Sequence, residues 1–216
     1  MFKPKPILIV MTRWPSPGRC KRRLAKEIGL NKAAYIQHKM IEHTMEVCNL
    51  LAKDSLVDIH LAVSGITYGL AKKWAKEKGI KSVTTQGEGT LGLRMRRQVI
   101  KAQKLLSTNP GEARPAILIG TDLPDLSKED LINAIEMLET KDLVIGPSRD
   151  GGYWLIGLSQ KLAMPVTIWP FSGIAWGSKE VLGETLARAK KEEILTGILS
   201  VRNDLDMVED LNGWQA

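Results

Sequence analysis

The sequence predicts an α/β fold built on a mixed, mostly parallel sheet with helices on both faces. Three observations predict it. Apolar runs of strand length alternate with segments of helical periodicity along the chain. The first run, residues 7–12 (ILIVMT), is continuously apolar, as a central strand covered on both faces would be. It ends at Pro15, Pro17 and Gly18, which break it into a loop. A length of 216 residues fits one domain, residues 1–216, and no repeat, low-complexity segment or linker interrupts it.

The elements follow in order. Residues 31–53 read as a long helix, because Ala34, His38, Ile41, Met45, Cys48 and Ala52 recur at alternating steps of four and three and share one face. That pattern makes His38 a core or half-buried residue rather than a catalytic one, and His43 and His60 carry no stronger signal. Residues 56–63 are expected as a strand, 67–78 as a helix, 81–86 as a short strand and 91–107 as a basic helix. A strand over 115–120 precedes Ser127, which stands three residues before Asp130 in a capping-box-like helix start. That helix runs to about residue 139. Strands over 142–146 and 152–158 flank the turn PSRDGG and could pair antiparallel. A helix near 177–191 and short elements close the chain.

Composition narrows the function. The formal net charge is +7, from 31 Lys and Arg against 24 Asp and Glu. Such a balance suits nucleic acid, an acidic membrane or a phosphorylated small molecule. The densest basic cluster, GRCKRRLAK at 18–26, has no interleaved aromatics, and no nucleic-acid module is recognisable, which argues against a nucleic-acid partner. Two cysteines, Cys20 and Cys48, without metal-type spacing suit a reducing cytoplasm. The apolar run at the start is too short for a membrane span, and RWPSPG is no signal-cleavage site.

Several motifs carry chemistry. GEGTLG at 87–92 satisfies G-x-G-x-x-G, but the acid at the expected distance, Glu112, lies in a loop before a strand instead of closing one, so a dinucleotide fold is not supported. No Walker-type phosphate loop and no Ser-His-Asp or Cys-His arrangement is present. RWPSPGRCKRRL at 13–24 follows the first strand directly. A Pro/Gly loop leading to Arg19, Lys21, Arg22 and Arg23 at a strand's carboxyl end is suited to phosphate. AILIGTDLPDL at 116–126 places Asp122 and Asp125 after a buried strand. Either could hold Mg²⁺ or Mn²⁺, and either could shape the turn or cap the next helix. Asp122 is nearer the strand end. NDLDMVEDL at 203–211 supplies Asp204, Asp206, Glu209 and Asp210, as further metal ligands or as the favourable charge of a helix start.

Taken together, PSPGRCKRRL, QGEGTLGLRM, GTDLPDL, GPSRDGGYWLIGL and NDLDMVEDL resemble, in order and spacing, the radical-SAM/selenodomain-associated transferase 1 family. That family is glycosyltransferase-like and lies in the nucleotide-diphospho-sugar transferase (GT-A) superfamily, beside 2-phospho-lactate and molybdenum-cofactor guanylyltransferases. The resemblance implies a GT-A, Rossmann-like sheet. It implies a metal-dependent transferase that takes a nucleotide sugar or a nucleoside triphosphate and an unknown small-molecule acceptor. Pro17, Gly18, Arg19, Lys21, Arg22, Arg23, Gln86, Gly87 and Gly89 would meet the nucleotide, with Lys21 and Arg23 assisting catalysis beside Asp122. Asp122, Asp204 and Asp206 would hold Mg²⁺ or Mn²⁺. Asp150, Gly151, Gly152 and Tyr153 would meet the sugar or acceptor. Three positions depart from the family pattern: Arg22 replaces a threonine, Thr90 an aspartate and Met207 a threonine. These departures also admit a nucleotide-binding protein of the same fold without catalysis.

Overall fold

A computed structural model describes residues 4–107, 112–163 and 170–212. Seven strands form one sheet in the order β3-β2-β1-β4-β6-β5-β7. They are β1 (Ile7–Arg13), β2 (Asp58–Ser64), β3 (Ser82–Thr85), β4 (Ala116–Ile119), β5 (Leu143–Pro147), β6 (Tyr153–Leu158) and β7 (Thr196–Ile198). The helices are α1 (Arg22–Ile28), α2 (Leu30–Lys53), α3 (Tyr68–Glu77), α4 (Leu91–Leu106), α5 (Lys128–Met137), α6 (Gln160–Ala163) and α7 (Val181–Lys191), with a 3-10 turn at Val208–Leu211. The architecture is a mixed, mostly parallel α/β sheet of the GT-A, Rossmann-like kind.

Strand periodicity explains why both faces are covered. In β1, Leu8 and Val10 enter one core with α2, α3 and α5, whereas Ile7 and Ile9 enter the other with α4 and α7. In β4, Ile117 and Ile119 divide from Ala116 and Leu118 in the same way. Burial on both sides makes these strands read as continuous apolar runs. The capping box forms as expected, with Ser127 and Asp130 bonding each other's backbone. His38 is half-exposed and faces Glu42.

The sheet order departs from simple succession at one place. β6 inserts between β4 and β5 and runs antiparallel to both. The tight turn at 148–152 reverses the chain, so Tyr153 at the start of β6 lies at the same sheet edge as the carboxyl ends of β1, β4 and β5. β7 pairs parallel to β5 over three residues, too few to show periodicity. α1 begins at Arg22, inside the basic segment that follows β1.

His60 is fully buried in β2. Its Nδ1 accepts from the Ser82 hydroxyl at 2.8 Å, while Nε2 faces Thr84 and the Gln98 amide oxygen. Burial holds its pKa down to about 4. Between pH 6.5 and 4 the unfolded chain therefore binds a proton that the folded chain refuses. This contribution is complete above about pH 6.5 and falls by roughly 3 kcal/mol as the pH drops to about 4. Urea unfolding at about pH 7, 5.5 and 4.5 should show that slope in the wild type and a flatter one in His60→Gln.

Candidate active site

The basic segment leaves β1 at Arg13 and enters α1 through Lys21, whose backbone is left-handed (φ 43°, ψ 50°). That conformation costs a non-glycine residue about 1–3 kcal/mol and needs anchoring on both sides. Leu24 supplies one anchor, buried with Ile36, Met40 and Leu205. The Lys21 ammonium supplies the other. It contacts the Asp122 carboxylate, donates to the Leu205 carbonyl at 2.5 Å and lies 3.2 Å from Asp206. Burial opposes the charge on Lys21, but Asp122 and Asp206 outweigh it and raise its pKa. Arg19, Arg22 and Arg23 remain exposed.

The acids reach this lysine by two routes. Asp122 follows β4 directly, and Thr121 beside it is pinned by the Thr12 hydroxyl at 3.0 Å and the Gln37 amide at 3.3 Å. Asp204 and Asp206 flank Leu205, which is fully buried and whose N–H donates to the Asp122 carbonyl at 2.9 Å. One apolar residue thus docks both acids beside the end of β4. Asp210 caps the 3-10 turn by accepting from the backbone of Asp206 and Met207. Asp125 points elsewhere: with Asp130 it pairs with Arg202, at 3.1 and 2.5 Å. The two carboxylates of GTDLPDL therefore have different partners.

Two clefts open at this edge and share Met11, Arg13, Arg23 and Asp122. The larger, about 600 Å³, takes in Asp150, Gly152, Tyr153 and Asp204 from the expected residues. The smaller, about 450 Å³, takes in Arg19, Lys21, Arg22 and Asp206. Pro17, Gly18, Gly87, Gly89 and Gly151 line neither. Asp150 also shapes its own turn, accepting from the Ser148 hydroxyl and from the Gly152 N–H, the latter at 2.9 Å.

Gln86 borders the larger cleft but spends its amide on the scaffold. Its Nε2 donates to the carbonyls of Thr12 and Ala62, and its Oε1 accepts from Arg94 at 2.9 Å. Both amide hydrogens of Gln86 are thus taken by backbone carbonyls, and its oxygen positions Arg94. Gly87 beside it leaves room for a second arginine. Arg97 donates to the carbonyls of Gln86 and Glu88, and a Cβ on Gly87 would lie 2.7 Å from its guanidinium. We expect Gln86→Ala to cost about 2–3 kcal/mol in urea unfolding, because the carbonyls of Thr12 and Ala62 each lose a buried hydrogen bond and Arg94 loses its acceptor.

Sequence reasoning missed Arg13, Arg94 and Trp176 in the larger cleft. Burial, then Arg13 and Arg97, lower the Arg94 pKa. Arg13 and Arg94 lie within RWPSPGRCKRRL and QGEGTLGLRM, which could have flagged them; Trp176 lies in none of the motifs.

A divalent ion fits the acids. Burial, then the nearby Asp122 and Asp150, push the Asp204 pKa up to about 7. Carboxylate oxygens are the donors that Mg²⁺ and Mn²⁺ prefer. Asp122 and Asp204 border the same cleft and would hold the ion. Asp206 is engaged by Lys21, with Arg23 at 3.9 Å. Among the described residues no group of three metal-binding side chains is already drawn together.

The profile of a family described as "Uncharacterized protein conserved in bacteria" (DUF2064) matches residues 47–178. The chain belongs to that family. This DUF2064 chain also resembles solved structures. One is a proposed nucleotide-diphospho-sugar transferase from Desulfovibrio desulfuricans G20, at TM-score 0.83 and 28% identity, covering 96% of this chain and 84% of that one. Another is 4-diphosphocytidyl-2C-methyl-D-erythritol synthase from Anaerococcus prevotii DSM 20548, at TM-score 0.57 and 14% identity, covering 97% and 96%. A third is Rv0371c from Mycobacterium tuberculosis H37Rv, at TM-score 0.55 and 14% identity, covering 98% and 97%. Rv0371c has also been solved in complex with manganese. At 14% identity the last two share the fold alone. No curated protein matches the chain. Among the described residues, no helix is long and apolar enough to cross a membrane.

Proposed function

We propose that the protein is a metal-dependent transferase using a nucleotide-activated donor, with residues 1–216 acting as one domain. One observation carries this reading. The cationic segment 19–23 and the acids Asp122 and Asp204 meet at the carboxyl edge of one sheet, in two clefts joined through Arg13, Arg23 and Asp122. Ligands of open α/β sheets bind at that edge. Arg19, Arg22 and Arg23 would hold the donor phosphates in the smaller cleft, and Lys21 would neutralise charge between phosphate and acids. Mg²⁺ or Mn²⁺ held by Asp122 and Asp204 would supply charge neutralisation as the leaving group departs. Asp150, Gly152 and Tyr153 would face the sugar or acceptor across the larger cleft. Neither glycosyl nor nucleotidyl transfer requires a protein nucleophile.

The 28% identical relative from D. desulfuricans favours a nucleotide-sugar donor, in line with the radical-SAM/selenodomain-associated transferase resemblance. The density of cations in the smaller cleft favours the second reading, a nucleoside triphosphate donor that releases pyrophosphate. A thermal-shift panel of nucleoside triphosphates and nucleotide sugars, with and without Mg²⁺ and Mn²⁺, separates the two, because a ligand of the folded state raises its stability by mass action. Metal-dependent stabilisation by a nucleotide sugar supports the first, and by a triphosphate alone the second. No stabilisation by any nucleotide would overturn both. Binding without turnover across acceptors would mark a non-catalytic binder. Of the three motif departures, Thr90 has a structural role: it caps α4, accepting from the Leu93 N–H at 3.3 Å.

A further inference from the structure

We propose that Lys21 is a tethered counter-ion which a divalent cation must displace from Asp122, and which then turns to the donor phosphates. The inference rests on the metal-dependent reading above. An ammonium has three hydrogens to donate. Asp122, Asp206 and the Leu205 carbonyl meet all three, and the side chain is only 2% exposed. A saturated ammonium has no donor left for a phosphate. Asp122 is equally committed, because its carboxylate is in direct contact with that ammonium.

A divalent cation arriving at Asp122 would stand within a few ångströms of that ammonium. Two cations so close repel strongly where water is scarce. Lys21 must therefore leave as the cation enters. The direction it takes is set by its surroundings. It already lines the smaller cleft with Arg19, Arg22 and Arg23, where an anion would receive it. The left-handed backbone at Lys21 stores strain that its side-chain anchors hold in place. Releasing the side chain relaxes one of those anchors. The cation and the phosphates then bind as a unit: metal alone binds weakly, because a Lys21 displaced from Asp122 loses its closest carboxylate and gains no anion in return, and metal with nucleotide binds well. Lys21 acts here as a switch between two sets of acceptors and not as a fixed phosphate ligand.

Mn²⁺ titration followed by the electron paramagnetic resonance of the free ion tests this, on wild type and Lys21→Met without nucleotide. Removing the competing cation should tighten Mn²⁺ binding by at least about tenfold. Equal or weaker binding by the variant overturns the exchange and leaves the metal-dependent reading standing. A second measurement uses the wild type alone and so does not depend on the variant folding. Acetylation of Lys21, read by peptide mass spectrometry, should be suppressed in metal-free protein and rise when Mn²⁺ saturates the site. Protection that persists at saturation overturns the proposal. If neither protein binds Mn²⁺, with or without a nucleoside triphosphate, the metal-dependent reading fails and takes the exchange with it.

Discussion

Asp122→Asn is expected to lower turnover by about a hundred- to a thousandfold with the donor that the binding panel identifies, since a metal contributes several kcal/mol to the transition state. The substitution keeps the size of the side chain and removes its charge. Lys21 keeps Asp206 and the Leu205 carbonyl as partners, so the fold survives. What is lost is the carboxylate that borders both clefts. The metal requirement for nucleotide binding should weaken with it. Asp125→Asn is the matched comparison. Asp125 lies three residues on, is more than half exposed and pairs only with Arg202 among the described residues. Its loss should cost no more than about 1 kcal/mol of stability and leave turnover unchanged. Steady-state kinetics and Mn²⁺ binding on the two variants decide the matter. Full metal-dependent turnover in Asp122→Asn would remove Asp122 from the site.

Gly151→Ala should cost about 2–4 kcal/mol of stability. Gly151 sits at φ 91°, where a side chain is strained, and a Cβ there would lie 2.2 Å from the Lys179 carbonyl oxygen. Neither partner can yield easily. The Gly151 carbonyl accepts from the Leu182 N–H at 2.9 Å, which ties the turn to the start of α7. Trp176–Lys179 line the larger cleft, with Trp176 edge-on to Tyr153 at 6.0 Å. Pushing Lys179 away therefore opens the cleft as well as weakening the fold, and KM should rise with the loss of stability. Gly183→Ala supplies the contrast. Gly183 is in α7, and a Cβ there would meet nothing within 4 Å. At that position alanine should stabilise by about 0.5–1 kcal/mol through helix propensity and lost chain entropy. Urea unfolding of both variants gives the comparison, and a neutral Gly151→Ala would show that the two loops part without cost.

Residue order alone specified the local elements. The steps of four and three from Ala34 to Ala52 specified α2, the unbroken apolar run at the start specified a doubly covered β1, and Ser127 with Asp130 specified the start of α5. Each is a property of neighbouring residues and of side-chain period, so it is legible without the fold. The basic segment after β1 and the acid after β4 were legible too, as chemistry at strand ends. How they combine was settled by packing in three dimensions. Insertion of β6 between β4 and β5 is a choice of partner, which no local pattern encodes. The separation of Asp122 from Asp125 rests on Lys21 and on Arg202, the latter 77 residues from Asp125. The commitment of Lys21 to acids rests on Leu205, 184 residues away. Gln86 and Arg94 acquire their roles only where β1, β2 and α4 converge. Charge and hydrogen-bond partners depend on distance in space, and a sequence records only distance along the chain.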